Sequence, residues 1–287
     1  MALSEASRGR FLWLQDKPPY DTYLPSFVAG LHGIFCLSGY HVSTLPLHAQ
    51  PKGVVTPNGI DPTFLADGDN LPNVFVYGSA PDRGLQMVLQ SWPEIHQRVP
   101  NATLEVYYGF SKSFMKHIQA SMANHEQWVE YMQSLLKQEG VVYKGMVDHT
   151  TLARAYANAG FILYPTVFPE TGCVTLMKAQ SMGAIPITSK FKDSTLPELT
   201  QGYDLGPRPL EGGYEEDKEW QKLWIDRVVE VSLRDINERK LLNHDNNSNN
   251  LKSSIQAHRI RMKEWARARF LWKHVAVIWS TSFLEVQ

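Results

Sequence analysis

The chain has 287 residues, of which 43% are hydrophobic and 20% charged, and these are ordinary values for a globular protein with a large core. Its formal net charge of −1 excludes a general nucleic-acid binder, because contacts to phosphates need a surplus of basic residues. The two cysteines, Cys36 and Cys173, are too few for a disulfide framework, and no apolar run has the length of a signal peptide or a membrane span. We therefore expect a cytoplasmic protein with neither a membrane span nor a nucleic-acid partner.

Two strands are predicted near the start of the chain, at residues 10–14 and 33–38, with a helix-like segment at 21–31 between them. From about residue 53 onward, strands and helices alternate, which is typical of a parallel sheet with crossover helices. A long helical stretch is predicted over residues 251–286, and its aromatic stripe is expected in the core rather than on a sugar-binding surface. The strands of the alternating part are predicted at 73–78, 104–109, 141–147, 160–164 and 185–188.

The segment after the strand at 160–164 carries the clearest pattern for a binding site. A proline-containing turn leads into Glu170 and Gly172, where a helix is expected to begin. The free N–H groups of a helix N-terminus favour a phosphate, and Gly172 would let that phosphate approach the backbone. Glu170 and Lys178 are eight residues apart, close to two helical turns, so both are expected to face one cleft. The simpler alternative is an acidic residue that only complements the helix dipole.

Four segments upstream support the binding-site interpretation by their order. They are an extended segment at 54–64 that is broken by Asn58-Gly59, a strand and turn at 73–85, and strands at 104–109 and 141–147. In order and spacing these segments resemble the donor-binding half of a retaining glycosyltransferase of the GT-B fold, family 4. The resemblance covers roughly residues 10–285. It implies an α/β protein with a partial acceptor-side Rossmann-like segment at 1–55, a Rossmann-like parallel-sheet domain for the nucleotide sugar at 56–270, and a C-terminal helix at 271–287 that returns to the first segment.

The resemblance also implies a reaction and its residues. A sugar would move with retention from a UDP- or GDP-linked donor to the hydroxyl of a glycan or another acceptor, without a cofactor. Glu170 and Arg83 are the expected catalytic residues: Glu170 would accept hydrogen bonds from sugar hydroxyls, and the always-charged guanidinium of Arg83 would hold the diphosphate. The other expected contacts to the nucleotide sugar are Gly78, Ser79, Gly145, Met146, Val147, Gly172, Cys173, Val174 and Lys178.

Two positions depart from the family pattern. Lys178 stands where a second glutamate usually holds the ribose hydroxyls, and a charged lysine cannot accept those hydrogen bonds. It would instead neutralise Glu170 or contact a phosphate. Ser79 stands where a basic residue is usual, and three other lysines are candidates to supply the missing charge: Lys144, Lys190 and Lys192.

No metal site is predicted. Asp67-Gly68-Asp69 matches the Asp-x-Asp of metal-dependent glycosyltransferases, but it precedes a strand, in a segment with the composition of an ordinary turn. The ten histidines lack the spacing of metal ligands. Ser38 and His41 do not form an evident hydrolase pair.

Three functions stay open, because the resemblance gives no counterpart to the earlier strands of the acceptor-side domain. The first is a transferase, alone or as a homo-oligomer. The second is a non-catalytic nucleotide-sugar-binding subunit, or a degenerate homologue, that needs a partner chain to complete the acceptor side. The third is a nucleotide-sugar epimerase or hydrolase on the same fold.

Overall fold

The structure is a computed structural model that describes residues 9–166, 168–191, 193–207, 217–244 and 254–285. Within these ranges the strands are β1 Phe11–Trp13, β2 Gly33–Cys36, β3 Gly53–Val55, β4 Leu71–Tyr77, β5 Thr103–Tyr107, β6 Val141–Gly145, β7 Ala159–Tyr164, β8 Ile185–Lys190 and β9 Tyr203–Pro207. The α-helices are α1 Pro25–Ala29, α2 Gly39–Ser43, α3 Leu85–Arg98, α4 Lys112–Ser121, α5 His125–Leu135, α6 His149–Asn158, α7 Val174–Ser181, α8 Leu196–Leu199, α9 Lys218–His244, α10 Ser254–Phe270 and α11 Trp272–Leu284.

The larger sheet has six parallel strands in the order β6-β5-β4-β7-β8-β9. Consecutive parallel strands need a crossover, and helices between them supply it, from α3 after β4 to α8 after β8. The chain first builds outward from β4 to β6 and then returns to place β7 on the other side of β4. A crevice opens outside the carboxyl ends of the strands at such a reversal. The predicted Rossmann-like α/β fold is therefore confirmed.

Burial holds the two central strands side by side. All six residues of β7 are buried, which explains why its sequence is a continuous apolar run. Phe161 of β7 stacks on Phe75 of β4 with ring centroids 5.9 Å apart, and Trp92 of α3 meets the edge of Phe75 at 5.8 Å. The ends of β4 and β7 are thus set by a well-packed core.

The smaller sheet has three parallel strands in the order β1-β2-β3. Helix α11 covers one of its faces: Trp279 stacks on Phe35 of β2 at 4.9 Å and meets Trp13 of β1 edge-on at 5.0 Å. The expectation that the aromatic stripe lies in the core is wrong for two of its members. Trp272 is 40% exposed and Phe283 is 46% exposed, because only part of α11 faces the sheet. The division of the chain at residues 55 and 270 stays a prediction.

Two predicted helices are interrupted. The C-terminal stretch breaks at Leu271, where Ile60 donates its N–H to the carbonyl of Phe270 at 2.6 Å and accepts from the N–H of Trp272 at 3.1 Å. These bonds occupy backbone groups that a continuous helix would need. The ends of that stretch, 251–253 and 286, lie outside the described residues. The segment predicted at 21–31 forms a 3-10 turn and then α1. The two are separate because Pro25 disfavours helical backbone at the residue before it, Leu24.

The cysteines are free and buried, in different parts of the fold. Burial raises the pKa of the Cys36 thiol to about 12, so this thiol is not a nucleophile near neutral pH. None of the helices in the described ranges combines the length and the apolar character needed to cross a bilayer.

Candidate functional site

A cavity of about 310 Å³ opens at the carboxyl ends of β4 and β7, where the strand order reverses. Its walls come from the turn after β4, the turn after β7 and the start of α7. Many of the predicted site residues meet here, although they come from separate segments of the chain. The lining residues are Gly78, Ser79, Ala80, Arg83, Tyr108, Tyr164, Glu170, Gly172, Cys173, Val174 and Thr175.

Glu170 is the most buried charged group of this cavity. The hydroxyl of Tyr164 donates a hydrogen bond to its Oε1 at 2.7 Å, and Nε of Arg83 lies 3.7 Å from the same oxygen. Burial raises the pKa of Glu170, while the Tyr164 hydrogen bond and the charge of Arg83 act in the opposite direction. Among the described residues nothing donates to Oε2 of Glu170, so this oxygen can accept a hydrogen bond from a ligand hydroxyl.

Arg83 is held on three sides. It ends a 3-10 turn, Pro81–Arg83, that follows β4. Its NH1 lies 2.6 Å from Oδ2 of Asp82, and its guanidinium carbon lies 3.5 Å from the ring centroid of Phe168. Asp82 and Glu170 therefore both offset the positive charge of Arg83, while the stacking on Phe168 fixes its plane.

Glycines bring the walls of the cavity together at two points. Gly84, directly after Arg83, has a φ of +108°, and a side chain there would collide with the backbone of Pro165 beyond the end of β7. At Gly172 a Cβ atom would lie 2.8 Å from Cβ of Leu37, just after β2. The turn after β4 and the loop after β7 can approach their neighbours only because both residues lack a side chain.

The smaller sheet reaches the site through the start of α2. Ser38 donates from Oγ to the carbonyl of Thr171 at 2.8 Å and accepts from the backbone N–H of His41 at 3.0 Å. Glu198 caps the same helix by accepting from the N–H groups of Gly39 and Tyr40 at 2.8 Å each. Burial lowers the pKa of His41. Ser38 contacts the backbone of His41 and not its ring, so the two residues serve packing and capping.

The end of β6 contacts the cavity wall through Tyr108, a residue that follows β5. The carbonyl of Gly145 accepts from the N–H of Tyr108 at 2.9 Å, and Tyr108 lines the cavity. Met146 is 66% exposed, and Val147 packs against the core. Gly145, Met146 and Val147 therefore border the site without lining it.

Lys178 lies in a second cavity, of about 360 Å³, and not beside Glu170. Helix α7 begins at Val174, because Cys173 has extended backbone, so the eight residues from Glu170 to Lys178 do not form two helical turns. The predicted pairing of these two residues is therefore wrong. The Nζ atom of Lys178 lies 4.1 Å from the ring centroid of Phe64. The second cavity is lined by Gly59, Ile60, Asp61, Thr63, Phe64, His149, Thr150, Val174, Lys178 and Trp272.

None of the other charged candidates that the structure describes lines either cavity. Asp67 pairs with Lys263 at 2.6 Å and with Arg267 at 3.4 Å. Lys190 pairs with Asp193 at 3.6 Å, Lys144 is exposed on β6, and Lys192 lies outside the described residues. In the part of the chain that the structure describes, no group of three histidine, cysteine or acidic side chains is arranged to hold a metal ion.

Sequence reasoning missed Tyr164, Tyr108 and Thr175. Tyr164 orients Glu170, and Thr175 donates from its hydroxyl to the carbonyl of Gly78 at 3.1 Å, which joins α7 to the turn after β4. The sequence does contain a signal for Tyr164, because its side chain carries a hydroxyl group at the last position of a strand that is otherwise apolar.

No family model matches the sequence, and no curated protein matches it. Solved structures do. HepE from Anabaena, in complex with UDP and glucose, is 12% identical with a TM-score of 0.64, over 94% of this chain and 69% of its own. Sucrose-phosphate synthase from Thermosynechococcus elongatus is 13% identical with a TM-score of 0.62, over 91% and 60%. A chain of the GtfA/B complex is 15% identical with a TM-score of 0.59, over 92% and 47%.

The chain therefore spans about half the length of some of these structures, 47% in the GtfA/B complex and 46% in TarM from S. aureus. With identities of 15% or less among the three compared structures, the likeness concerns the fold alone. The protein shares the GT-B fold of these structures.

Proposed function

We propose that the protein is a retaining glycosyltransferase of the family 4 type, which moves a sugar from a UDP- or GDP-linked donor to the hydroxyl of a glycan or another acceptor. One observation carries the proposal: a single cavity at the strand reversal is lined by the turn with Gly78, Ser79 and Arg83 and by the loop with Glu170 and Gly172. The shared GT-B fold supports it. So does HepE, whose structure contains UDP and glucose.

The roles follow from the chemistry of the donor. As the bond between the sugar and the diphosphate breaks, negative charge develops on the diphosphate, which needs fixed positive charge and backbone donors nearby. The guanidinium of Arg83 and the N–H groups at the start of α7 supply them. Glu170, oriented by Tyr164, accepts hydrogen bonds from sugar hydroxyls. The acceptor hydroxyl attacks the anomeric carbon on the face that the diphosphate leaves, and its proton passes to a diphosphate oxygen. This scheme needs no protein nucleophile, resident cofactor or metal.

Nucleotide binding is the first test. Calorimetry with UDP and GDP should detect binding of at least one of them at millimolar concentration or below, with the nucleotide lying across the ends of β4 and β7. Transfer and hydrolysis assays with the corresponding nucleotide sugars then separate the open functions. Binding without transfer by the chain alone would favour the binding subunit that needs a partner chain, and hydrolysis without transfer would favour the hydrolase. If no nucleoside diphosphate binds, the proposal fails and only the fold stands.

Arg83→Ala should weaken nucleotide binding by about 1.5–3 kcal/mol, the range for hydrogen bonds to charged groups. Arg83→Lys should recover part of this loss, because the charge survives while the planar fork does not. Titration calorimetry with the preferred nucleotide measures both changes. Arg227→Ala, on α9 and paired with Glu230 at 3.2 Å, is the matched control and should bind as the wild type does. Unchanged affinity of Arg83→Ala would assign Arg83 a structural role.

The proposal also covers where the acceptor binds and where in the cell the protein is located. The start of α2, which follows β2 of the smaller sheet, contacts the loop with Thr171, and we propose that the acceptor lies over this contact. A homo-oligomer or a partner chain would extend the acceptor surface beyond it. The cytoplasm is the proposed location, because both cysteines are free.

A further inference from the structure

The second cavity contains a lysine without a counter-charge. Among the residues that the structure describes, no carboxylate lies within ion-pair distance of the Lys178 ammonium, which lies over the ring of Phe64, 4.1 Å from its centroid. Asp61 also lines this cavity, but Oδ1 of its carboxylate accepts hydrogen bonds from the N–H and the hydroxyl of Thr63, at 2.8 and 2.7 Å. A half-buried ammonium group with its three donors unused is costly unless a ligand pairs with it.

The cation of the first cavity, by contrast, already has carboxylate partners. This cation, Arg83, pairs with Asp82 at 2.6 Å and lies 3.7 Å from Glu170. Two carboxylates thus face one guanidinium. A diphosphate placed wholly in the first cavity would meet no surplus of positive charge from these three side chains, whereas Lys178 offers an unpaired one.

The two cavities meet at Val174, which lines both of them. Lys178 stands one helical turn after Val174 on the same face of α7. Side chains on a helix lean toward its N-terminus, so the stem of Lys178 can extend back toward Val174, which borders both cavities. One ligand can therefore occupy the first cavity and reach the ammonium group of Lys178.

We propose that Lys178 binds a phosphate of the nucleotide donor, so that the diphosphate spans Val174 between the two cavities and takes from Lys178 a positive charge that adds to the hydrogen bonds of Arg83. This inference rests on the proposed function and adds to it the group that neutralises the diphosphate. It also assigns the space beside Phe64 and Trp272 to the part of the donor that continues beyond the phosphates.

Lys178→Met tests this directly, because methionine keeps an unbranched stem over Phe64 and removes the charge. Calorimetry should show UDP, or the nucleotide that the wild type prefers, bound about tenfold to a hundredfold more weakly, and the free nucleoside bound as by the wild type. Lys178→Arg should retain most of the affinity, and Lys178→Glu should weaken it further than Lys178→Met does. Lys222→Met, at an exposed lysine on α9, is the matched control and should change nothing.

A second measurement uses the unaltered protein. Reductive methylation followed by mass spectrometry should show Lys178 protected by the nucleoside diphosphate and not by the nucleoside. Equal methylation of Lys178 in the presence of the nucleoside diphosphate and of the nucleoside would overturn the inference. A Lys178→Met variant that loses affinity for nucleoside and nucleotide alike would also overturn it. Suppose that the wild type binds UDP and that Arg83→Ala weakens this binding while Lys178→Met leaves it unchanged. The inference then fails, and the proposed function stands. If the wild type binds no nucleoside diphosphate, both fail.

Discussion

Glu170→Gln is expected to lower the rate of sugar transfer on the order of a hundredfold or more and, at neutral pH, to raise the melting temperature. The amide keeps the shape of the side chain and still accepts the hydrogen bond from Tyr164, but it carries no charge toward the sugar in the transition state. The gain in stability has a separate cause. Burial raises the pKa of Glu170, so the ionised carboxylate opposes folding at neutral pH.

The sign of this effect sets its pH dependence. Because the pKa of Glu170 is higher in the folded chain, the folded state holds its proton more tightly, and the wild type loses stability as the pH rises from the unfolded pKa through the folded one. The advantage of Glu170→Gln should therefore be present at about pH 7 and should vanish below about pH 4, where the carboxyl group is protonated in both states. Melting curves at both pH values, together with transfer assays, measure it.

Glu139→Gln is the matched control, because that carboxylate is 92% exposed and should change neither stability nor transfer. Undiminished transfer by Glu170→Gln would remove Glu170 from the chemistry. A lower melting temperature at neutral pH would mean that the attraction to Arg83 and Tyr164 outweighs the cost of burying the charge.

The sequence predicts the sheet and the position of the site because both depend on local patterns. A strand buried on both faces must be continuously apolar, and Gly160–Tyr164 satisfies this. Parallel strands end at the same edge of a sheet, so the turns with Gly78 and Glu170 were bound to lie near one another once β4 and β7 were neighbours.

What the sequence did not predict depends on contacts between distant segments. Helix α7 begins at Val174 rather than at Glu170, and this start separates Lys178 from Glu170. The break at Leu271 arises from Ile60, about two hundred residues earlier, and its hydrogen bonds leave no trace in the helical periodicity of residues 254–284. Trp272 belongs to the aromatic stripe, but it packs over Gly59 and lines a cavity instead of the core.

Gly84→Ala is expected to destabilise the protein by about 2–4 kcal/mol and to weaken nucleotide binding as well. The φ of +108° is unfavourable for any residue with a Cβ atom. An added Cβ would also lie 2.8 Å from the carbonyl carbon of Pro165 and closer still to its oxygen. These are backbone atoms just beyond the end of β7, which the core holds in place, so the turn Pro81–Arg83 must move instead. Arg83 would then lose its position beside Glu170.

Gly206→Ala separates the two causes of the loss. Gly206 also has a positive φ, +79°, but an added Cβ would meet nothing within 4 Å. This variant should therefore show only the backbone cost, about 1–2 kcal/mol, and should bind nucleotide as the wild type does. Urea titration of both variants gives the free energies of unfolding, and calorimetry gives the affinities. If the two variants lose the same stability and both bind normally, the contact between Gly84 and Pro165 does not position Arg83, and the link from that turn to the site is lost.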